Sequence, residues 1–569
     1  MIRRFSLFAM ASFAVTLTIH WHSFATDADT AYVNGIVLTM EDNDAVAQAV
    51  AVTDGLIHAV GDNAKVRAHI GPNTRVVDLD GRTMLPGFID AHSHFLIAGR
   101  NQNIAVDLNA PPIGDIENIS DLIARVSKRA KTTPPGDWII GLGYDDTLLS
   151  ENRHPTRHDL DAASTDHPIL LFHVSLHFAV ANSRALEIAG VTGDTPQPSG
   201  GVIHLEENSD EPNGLLEEGP AFFLVYGRVP QPTLEQNLDG VNQGARTYAQ
   251  AGVTTAQSGA ADKATIPVLQ EAVRRGLMPI RINVYPNADV TEAIIAGKFS
   301  IEPLDSDMLH IGATKIVADG SIQGYTGYLR EPYHEPYKGD TDYRGYPRMS
   351  RDELTKLVTL LYKNDHQVAI HGNGDAAIDD ILHAIAKAQE TYPATDARPI
   401  IIHSQMAQDD QLDRMKDLGI IPSFFSLHTY YWGDRHSAIF MGPERAARMS
   451  PGKSALERGL RFTIHCDTPV VPMEPLKLVW ATVNRISTGG VIIGENQRIS
   501  VMEALRATTI NAAYQNFEED VKGSIEVGKY ADLVILSEDP RLYPTRIKDI
   551  EVLETIVGGR SVYRKGDDQ

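Results

Sequence analysis

Short apolar runs recur through the middle of the chain, each bounded by polar or glycine-rich residues. Eight stand between residues 84 and 467: MLPGFIDAHSH (84–94), GVTTAQSG (252–259), MPIRINVYP (278–286), ATKIVADG (313–320), QVAIHGNG (367–374), PIIIHSQ (399–405), IIPSFFSLH (420–428) and RFTIHCDTP (461–469). Runs this short and uniformly apolar suit strands covered on both faces. Between several of them apolar residues fall at helical spacing, as at 350–364, where Ser350 and Glu353 make a capping pair, and at 376–390. Strand and helix alternating through eight units predict an α/β fold with a parallel sheet, most simply a (β/α)8 TIM barrel. An open doubly wound sheet is the alternative. It usually carries a Gly-rich phosphate loop after its first strand, and here His92-Ser93-His94 stands in that place.

The two ends of the chain follow a different pattern. Residues 31–40 and 45–61 read as strands with Asp54-Gly55 as a hairpin turn, and 523–537 and 552–563 repeat this with Gly558-Gly559. They predict a small β-sandwich built from both ends, residues 26–84 and 511–569, around a barrel over 85–510. The stretch from His94 to Gly252 greatly exceeds a usual βα connection of about 2–6 residues. An inserted lid subdomain at about 105–235 is therefore expected, with strands at 138–145 and 168–182, rising from the C-terminal face of the barrel.

Composition narrows the function classes. Across 569 residues, 51 Lys and Arg face 74 Asp and Glu, a formal charge of −23, which argues against nucleic acid as a partner. The single cysteine, Cys466, excludes an internal disulfide. Arg3 and Arg4, the apolar run 5–19 and the small residues Ser23 and Ala25 have the layout of a cleavable signal peptide over 1–25. This predicts a periplasmic or secreted protein, with Sec and Tat export both open. No later segment is apolar enough to span a membrane.

The chemistry lies at the ends of the apolar runs. With 21 histidines, an H-x-H pattern arises by chance about once in such a chain, and His20-Trp21-His22 is one instance. His92 and His94 gain meaning from their place: on a strand, residues two apart share a face, so both imidazoles point into the barrel mouth. Lys315, His371, His403 and Asp467 take matching places on the fourth, fifth, sixth and eighth runs. Singly each reads as a cap or a paired core residue. Jointly they are hard to explain as structure, because buried ionisable groups are costly unless paired or metal-bound. Imidazole and carboxylate suit Zn²⁺ or a similar divalent ion, and the lack of cysteine ligands favours a catalytic over a structural site.

The motifs LPGFIDAHSHF (85–95), KIVADGS (315–321), IHGNGDAAID (370–379), IIHSQ (401–405), CDTPV (466–470) and GSIEVGKYADLVIL (523–536) together resemble the amidohydrolase superfamily. Within it they are similar to the long branch that includes N-substituted formamide deformylase and YtcJ-like hydrolases. The resemblance implies two divalent ions. His92, His94 and Asp467 would hold one, His371 and His403 the other, and carboxylated Lys315 would bridge them. It further implies hydrolysis of a carbon–nitrogen bond, of amide, N-acyl or formamide type, by a metal-bridged hydroxide with Asp467 as general acid/base. Ring-opening of a cyclic amide or ureide, or a non-catalytic metal-binding regulatory role, are the alternatives. Strand eight departs from the family in reading His465-Cys466-Asp467, with His465 facing inward and Cys466 an inert buried thiol. Neither HGNGD (371–375) nor HSQMA (403–407) supplies the glutamate that the superfamily's deaminases use, which disfavours deamination. Tyr144, His173, His177 and Trp432 are candidate contacts to a small-molecule amide substrate, with Tyr431 beside them. Asp319, Asn373 and Asp375 are candidates to support the ligands. A symmetric homo-oligomer is the default assembly.

Overall fold

The computed structural model describes residues 27–567 apart from Asn43, so the expected signal peptide lies outside the described residues. In the middle of the chain the eight apolar runs, joined by one further short strand, Leu309–Ile311, form parallel strands in two sheets. One orders Leu309–Ile311, Arg281–Pro286, Val253–Ala261 and Phe88–Ile89; the other orders Thr314–Val317, Val368–Gly372, Ile400–His403, Ile421–Phe424 and Thr463–Ile464. Apart from Leu309–Ile311, which is only half-buried, almost every residue in them is buried, as strands covered on both faces require. A bridge from Asn287 to Lys315 joins the two sheets at one side. At the other, Asp467 N–H donates to the His92 carbonyl (3.1 Å) and His94 N–H to that of Thr468 (2.8 Å). Helices follow the strands as the spacing predicts. Arg351–Lys363 begins with the reciprocal Ser350–Glu353 capping box, and Asp375–Thr391 packs against it.

The chain ends form two further sheets. Leu56–Gly61, Ala49–Thr53, Thr30–Val33 and Arg75–Asp78 make one; Arg560–Arg564, Val552–Val557, Leu533–Leu536, Thr83–Pro86, Ile36–Leu38 and Val46–Ala47 make the other. Tyr32, Val37, Val50, Met84, Leu533 and Ile556, drawn from both sheets, share one core. Both expected hairpin turns have positive φ at each central residue, 52° and 77° at Asp54-Gly55 and 53° and 73° at Gly558-Gly559. Between Ile89 and Val253 a sheet of six strands has its own core, around Leu122, Val126, Ile139 and Leu171.

Three expectations need correction. The first run is two strands, not one: Thr83–Pro86 joins the terminal sheet and Phe88–Ile89 the parallel one, so the boundary after residue 84 cuts a strand. Gly87 separates them where Thr254 packs so close that a Cβ would lie 2.1 Å from its Cγ2. The run 168–182 is a hairpin, Ile169–His173 and Phe178–Ala181, turned at 174–177 where Leu176 has φ 60°. Residue 511 falls inside helix Ile510–Gln515, which packs on Thr463–Ile464, and the C-terminal strands begin only at Leu533.

Candidate metal centre

His92-Ser93-His94 lies beyond the first strand, so strand alternation does not place it. Asp90 does. Its carboxylate accepts the His92 N–H at 3.3 Å and the Ser93 hydroxyl, turning the backbone, while Tyr248 meets the Ser93 hydroxyl at 2.7 Å. Burial raises the Asp90 carboxyl to about 7. Gln257, on the second parallel strand, spans from His92 Nδ1 (2.7 Å) to the Ala91 carbonyl (2.7 Å), leaving His92 Nε2 facing the cluster.

The six groups singled out in the sequence converge. His92 Nε2 and His94 Nε2 lie 3.5 and 3.4 Å from Asp467 Oδ1. Lys315 Nζ is 3.0 Å from His92 Nε2, and His371 Nδ1 is 3.0 Å from His403 Nε2. A tetrahedral ion with bonds of about 2.1 Å holds its ligands about 3.4 Å apart, so these spacings fit shared metal coordination. Asp467 Oδ1 is buried and accepts no hydrogen bond, an arrangement a cation explains. Burial drives His92, His371 and His403 well below the ordinary imidazole pKa, which favours the neutral form a metal ligand needs. Burial also lowers Lys315 to about 8. Burial alone would raise Asp467, but His94, His465 and Lys315 hold it below its usual value. Two of these residues sit in left-handed backbone, His403 at φ 72° and Asp467 at φ 58°. Such conformations cost about 1–3 kcal/mol each and gather at functional sites.

His465 faces inward as expected. Its Nε2 lies 3.1 Å from His403 Nδ1 and its Nδ1 3.0 Å from the Ser423 hydroxyl, so it braces the far edge of the His403 ring. Cys466 is buried and burial raises its thiol pKa, in keeping with an inert role. Asp319 accepts the backbone N–H groups of Asn373, Gly374 and Tyr328 at 2.8–3.0 Å and stands 3.5 Å from His371 Nε2. Asn373 lies 3.1 Å from that same nitrogen. Asp375 does not reach the cluster; it accepts the backbone N–H of Arg330.

Of the four substrate candidates only His177 comes to the cluster, its ring centroid 5.6 Å from that of His371. The other three belong to a separate buried network. Tyr144 bonds His154 Nδ1 (3.1 Å), His173 bonds Asp146 (3.1 Å) and the Ser175 hydroxyl (2.8 Å), and Trp432 Nε1 donates to Asp145 (3.1 Å). Arg435 also donates to Asp145, at 2.7 Å. Asp145, Asp146 and His173 are close enough to share a cation, but each already has a protein partner. Tyr431, beside Trp432, points its hydroxyl at Glu474 (3.4 Å). Sequence reading missed Asp90 and Gln257. Asp90 was within reach, two residues before His92. Gln257 lies far from any candidate ligand in the sequence.

The fold is of the α/β class, and the convergent imidazole, lysine and carboxylate groups form a candidate metal centre. The chain belongs to the amidohydrolase family, whose profile matches residues 75–563. It is 28% identical over 548 residues to the N-substituted formamide deformylase of Arthrobacter pascens, covering 94% of this chain and 98% of the relative. It is equally 28% identical to the putative amidohydrolase YtcJ of Bacillus subtilis (strain 168), over 93% and 98%. Among solved structures, an uncharacterized metal-dependent hydrolase from Pyrococcus horikoshii OT3 superposes with a TM-score of 0.72 at 24% identity, covering 91% of this chain and 99% of that one.

Proposed function

We propose that this protein hydrolyses a carbon–nitrogen bond of amide, N-acyl or formamide type at a binuclear metal centre. The observation that carries the reading is the convergence of Lys315, His92, His94, His371, His403 and Asp467 at ligand spacing, with Asp467 Oδ1 buried and accepting no hydrogen bond. On this reading the two parallel sheets are the arcs of a (β/α)8 barrel, the terminal sheets are a β-sandwich, and the sheet between Ile89 and Val253 is an insertion over the mouth. The N-terminal segment would direct the protein out of the cytoplasm.

His92, His94 and Asp467 would hold one ion and His371 and His403 the other, with zinc favoured by the imidazole-rich set. Lys315 suits a bridging carbamate: its buried amine, lowered to about 8, can lose a proton and add CO2. Divalent ions bound here supply a water acidified toward neutrality and a polarised substrate carbonyl. The Asp467 carboxylate, ionised at neutral pH, accepts the proton of the attacking water and returns it to the leaving amine. His465 and Asp319 keep the His403 and His371 rings in place through that exchange.

Elemental analysis of the purified protein beside Lys315→Ala tests this, followed by a panel of formamides, N-acyl amines and lactams. The expected result is about two ions per wild-type chain, fewer in the variant, and amide hydrolysis reduced at least a hundredfold. One ion, unaffected by the substitution, would overturn the bridge; no metal in protein prepared without chelator would overturn the hydrolytic reading.

A further inference from the structure

The turn at 174–177 in the inserted sheet brings one more imidazole to the cluster. His177 Nδ1 lies 3.0 Å from each carboxylate oxygen of Glu218, and the Glu218 N–H donates to the His177 carbonyl at 2.6 Å. The two residues are thus tied through side chain and main chain alike. The Glu218 side chain is fully buried and also faces the Arg348 guanidinium at 3.4 Å. Gly320 packs against it: a Cβ there would fall 2.4 Å from Glu218 Oε1, and the Gly320 carbonyl is 3.2 Å from His371 Nε2. Glu218 therefore sits one residue's width from a candidate metal ligand.

Its backbone is the second observation. Glu218 has φ 63° and ψ 160°, a region that belongs essentially to glycine and costs about 1–3 kcal/mol for any other residue. It precedes helix Gly219–Tyr226, yet its side chain makes no capping bond to that helix and turns to His177 instead. A strained, buried carboxylate that does not serve its own helix is explained by what it aims. With Nδ1 engaged by Glu218, the Nε2 edge of His177 is the free edge; among the described residues it makes no hydrogen bond, and the side chain keeps 13% exposure.

We propose that His177 is a substrate-contacting residue supplied by the inserted sheet, its Nε2 reading a polar atom of the scissile amide, and that Glu218 is the positioning residue that aims it. This rests on the amidohydrolase reading of the same centre. A carboxylate fixing one imidazole nitrogen so that the other meets a ligand is a common way to orient a ring, and its loss costs about tenfold or more in affinity or activity.

The test uses full-length protein loaded with Co²⁺ and titrated with acetohydroxamate, a planar amide-like chelator, following the visible cobalt bands. His177→Ala is expected to bind cobalt with the wild-type spectrum but hydroxamate about tenfold more weakly. Glu218→Leu should match His177→Ala, while Glu218→Gln, which keeps an oxygen acceptor for Nδ1–H, should recover most of the affinity even if the leucine variant fails to fold. Unchanged hydroxamate affinity in His177→Ala would overturn the proposal. So would a cobalt spectrum already altered before hydroxamate is added, because His177 would then be a ligand. If wild-type protein stripped of metal by chelator takes up neither cobalt nor zinc, the hydrolytic reading itself fails, and the proposal with it.

Discussion

Gly320 shows how much of the centre depends on single residues. It lies in the KIVADGS motif, and an added Cβ would meet Thr326 Oγ1 at 2.0 Å and Glu218 Oε1 at 2.4 Å. Neither neighbour can move without breaking the His177 tie or the turn at Thr326, whose hydroxyl accepts the Ser321 N–H. Gly320→Ala is expected to cost about 1–3 kcal/mol of stability and to lower amide hydrolysis at least tenfold, measured by urea unfolding and steady-state kinetics. What could be read from sequence at this scale followed one rule. His371, His403, Lys315 and Asp467 were legible because each ends or lies in an apolar run, where an ionisable group stands out. Tyr144, His173 and Trp432 stood out equally but belong to the Asp145–Asp146 network, because polarity beside a strand end does not say which neighbour satisfies it. Glu218 gave no signal at all, since its role comes from a backbone conformation that the sequence does not display.

At the scale of elements, the Asp145 network fastens the sheet between Ile89 and Val253 to the segment after Ile421–Phe424. Asp145 follows strand Ile139–Tyr144, while Trp432 joins the short helices His428–Tyr431 and Gly433–Arg435 and Arg435 ends the second. Burial alone would raise the Asp145 carboxyl, but the Arg435 guanidinium, joined by His173 and the Thr147 hydroxyl, holds the group below its usual value. With a lowered folded pKa, the stabilisation is present above the unfolded value of about 3.9 and is lost as pH falls through the folded one. In Arg435→Met the balance reverses. Burial then dominates, the folded pKa rises, and stability falls as pH climbs from about 4 through that raised value. Denaturation midpoints at pH 5 and 8 should therefore be similar in wild type but lower at pH 8 in the variant, with a loss of about 3–5 kcal/mol at pH 8. The alternation of strands and helices was legible because its apolar runs are short and regularly bounded. The break at Gly87 and the hairpin inside 168–182 were not, because apolar residues continue through both turns.

For the whole molecule, the terminal sheets are joined to the parallel ones by a buried ion pair. Arg281, on strand Arg281–Pro286, donates to both oxygens of Asp532 at 2.7 and 3.2 Å and to Asp307 at 2.7 Å, and stacks on Tyr530 at 3.9 Å. Asp532→Ala leaves the guanidinium with Asp307 alone, and about 3 kcal/mol of stability should be lost without change in metal content. A parallel fall in bound metal would show that the terminal sheets shape the centre directly. Sequence reading placed the terminal strands because their turn dipeptides are diagnostic, but it could not show that Thr83–Pro86 lies between strands from opposite ends of the chain.

That placement bears on how the chain is made. Strand Thr83–Pro86 has Ile36–Leu38 on one side and Leu533–Leu536 on the other, and Arg506 donates to the Met40 carbonyl across 466 positions of sequence. A ribosome delivers the first half of this sheet long before the second. Until synthesis ends, the early strands carry an open edge with unpaired N–H and C=O groups, ready to pair with whatever strand they meet. Maturation should accordingly be slow and late, waiting on the last strands to arrive, and nascent chains shortened before Leu533 should be sticky and easily proteolysed.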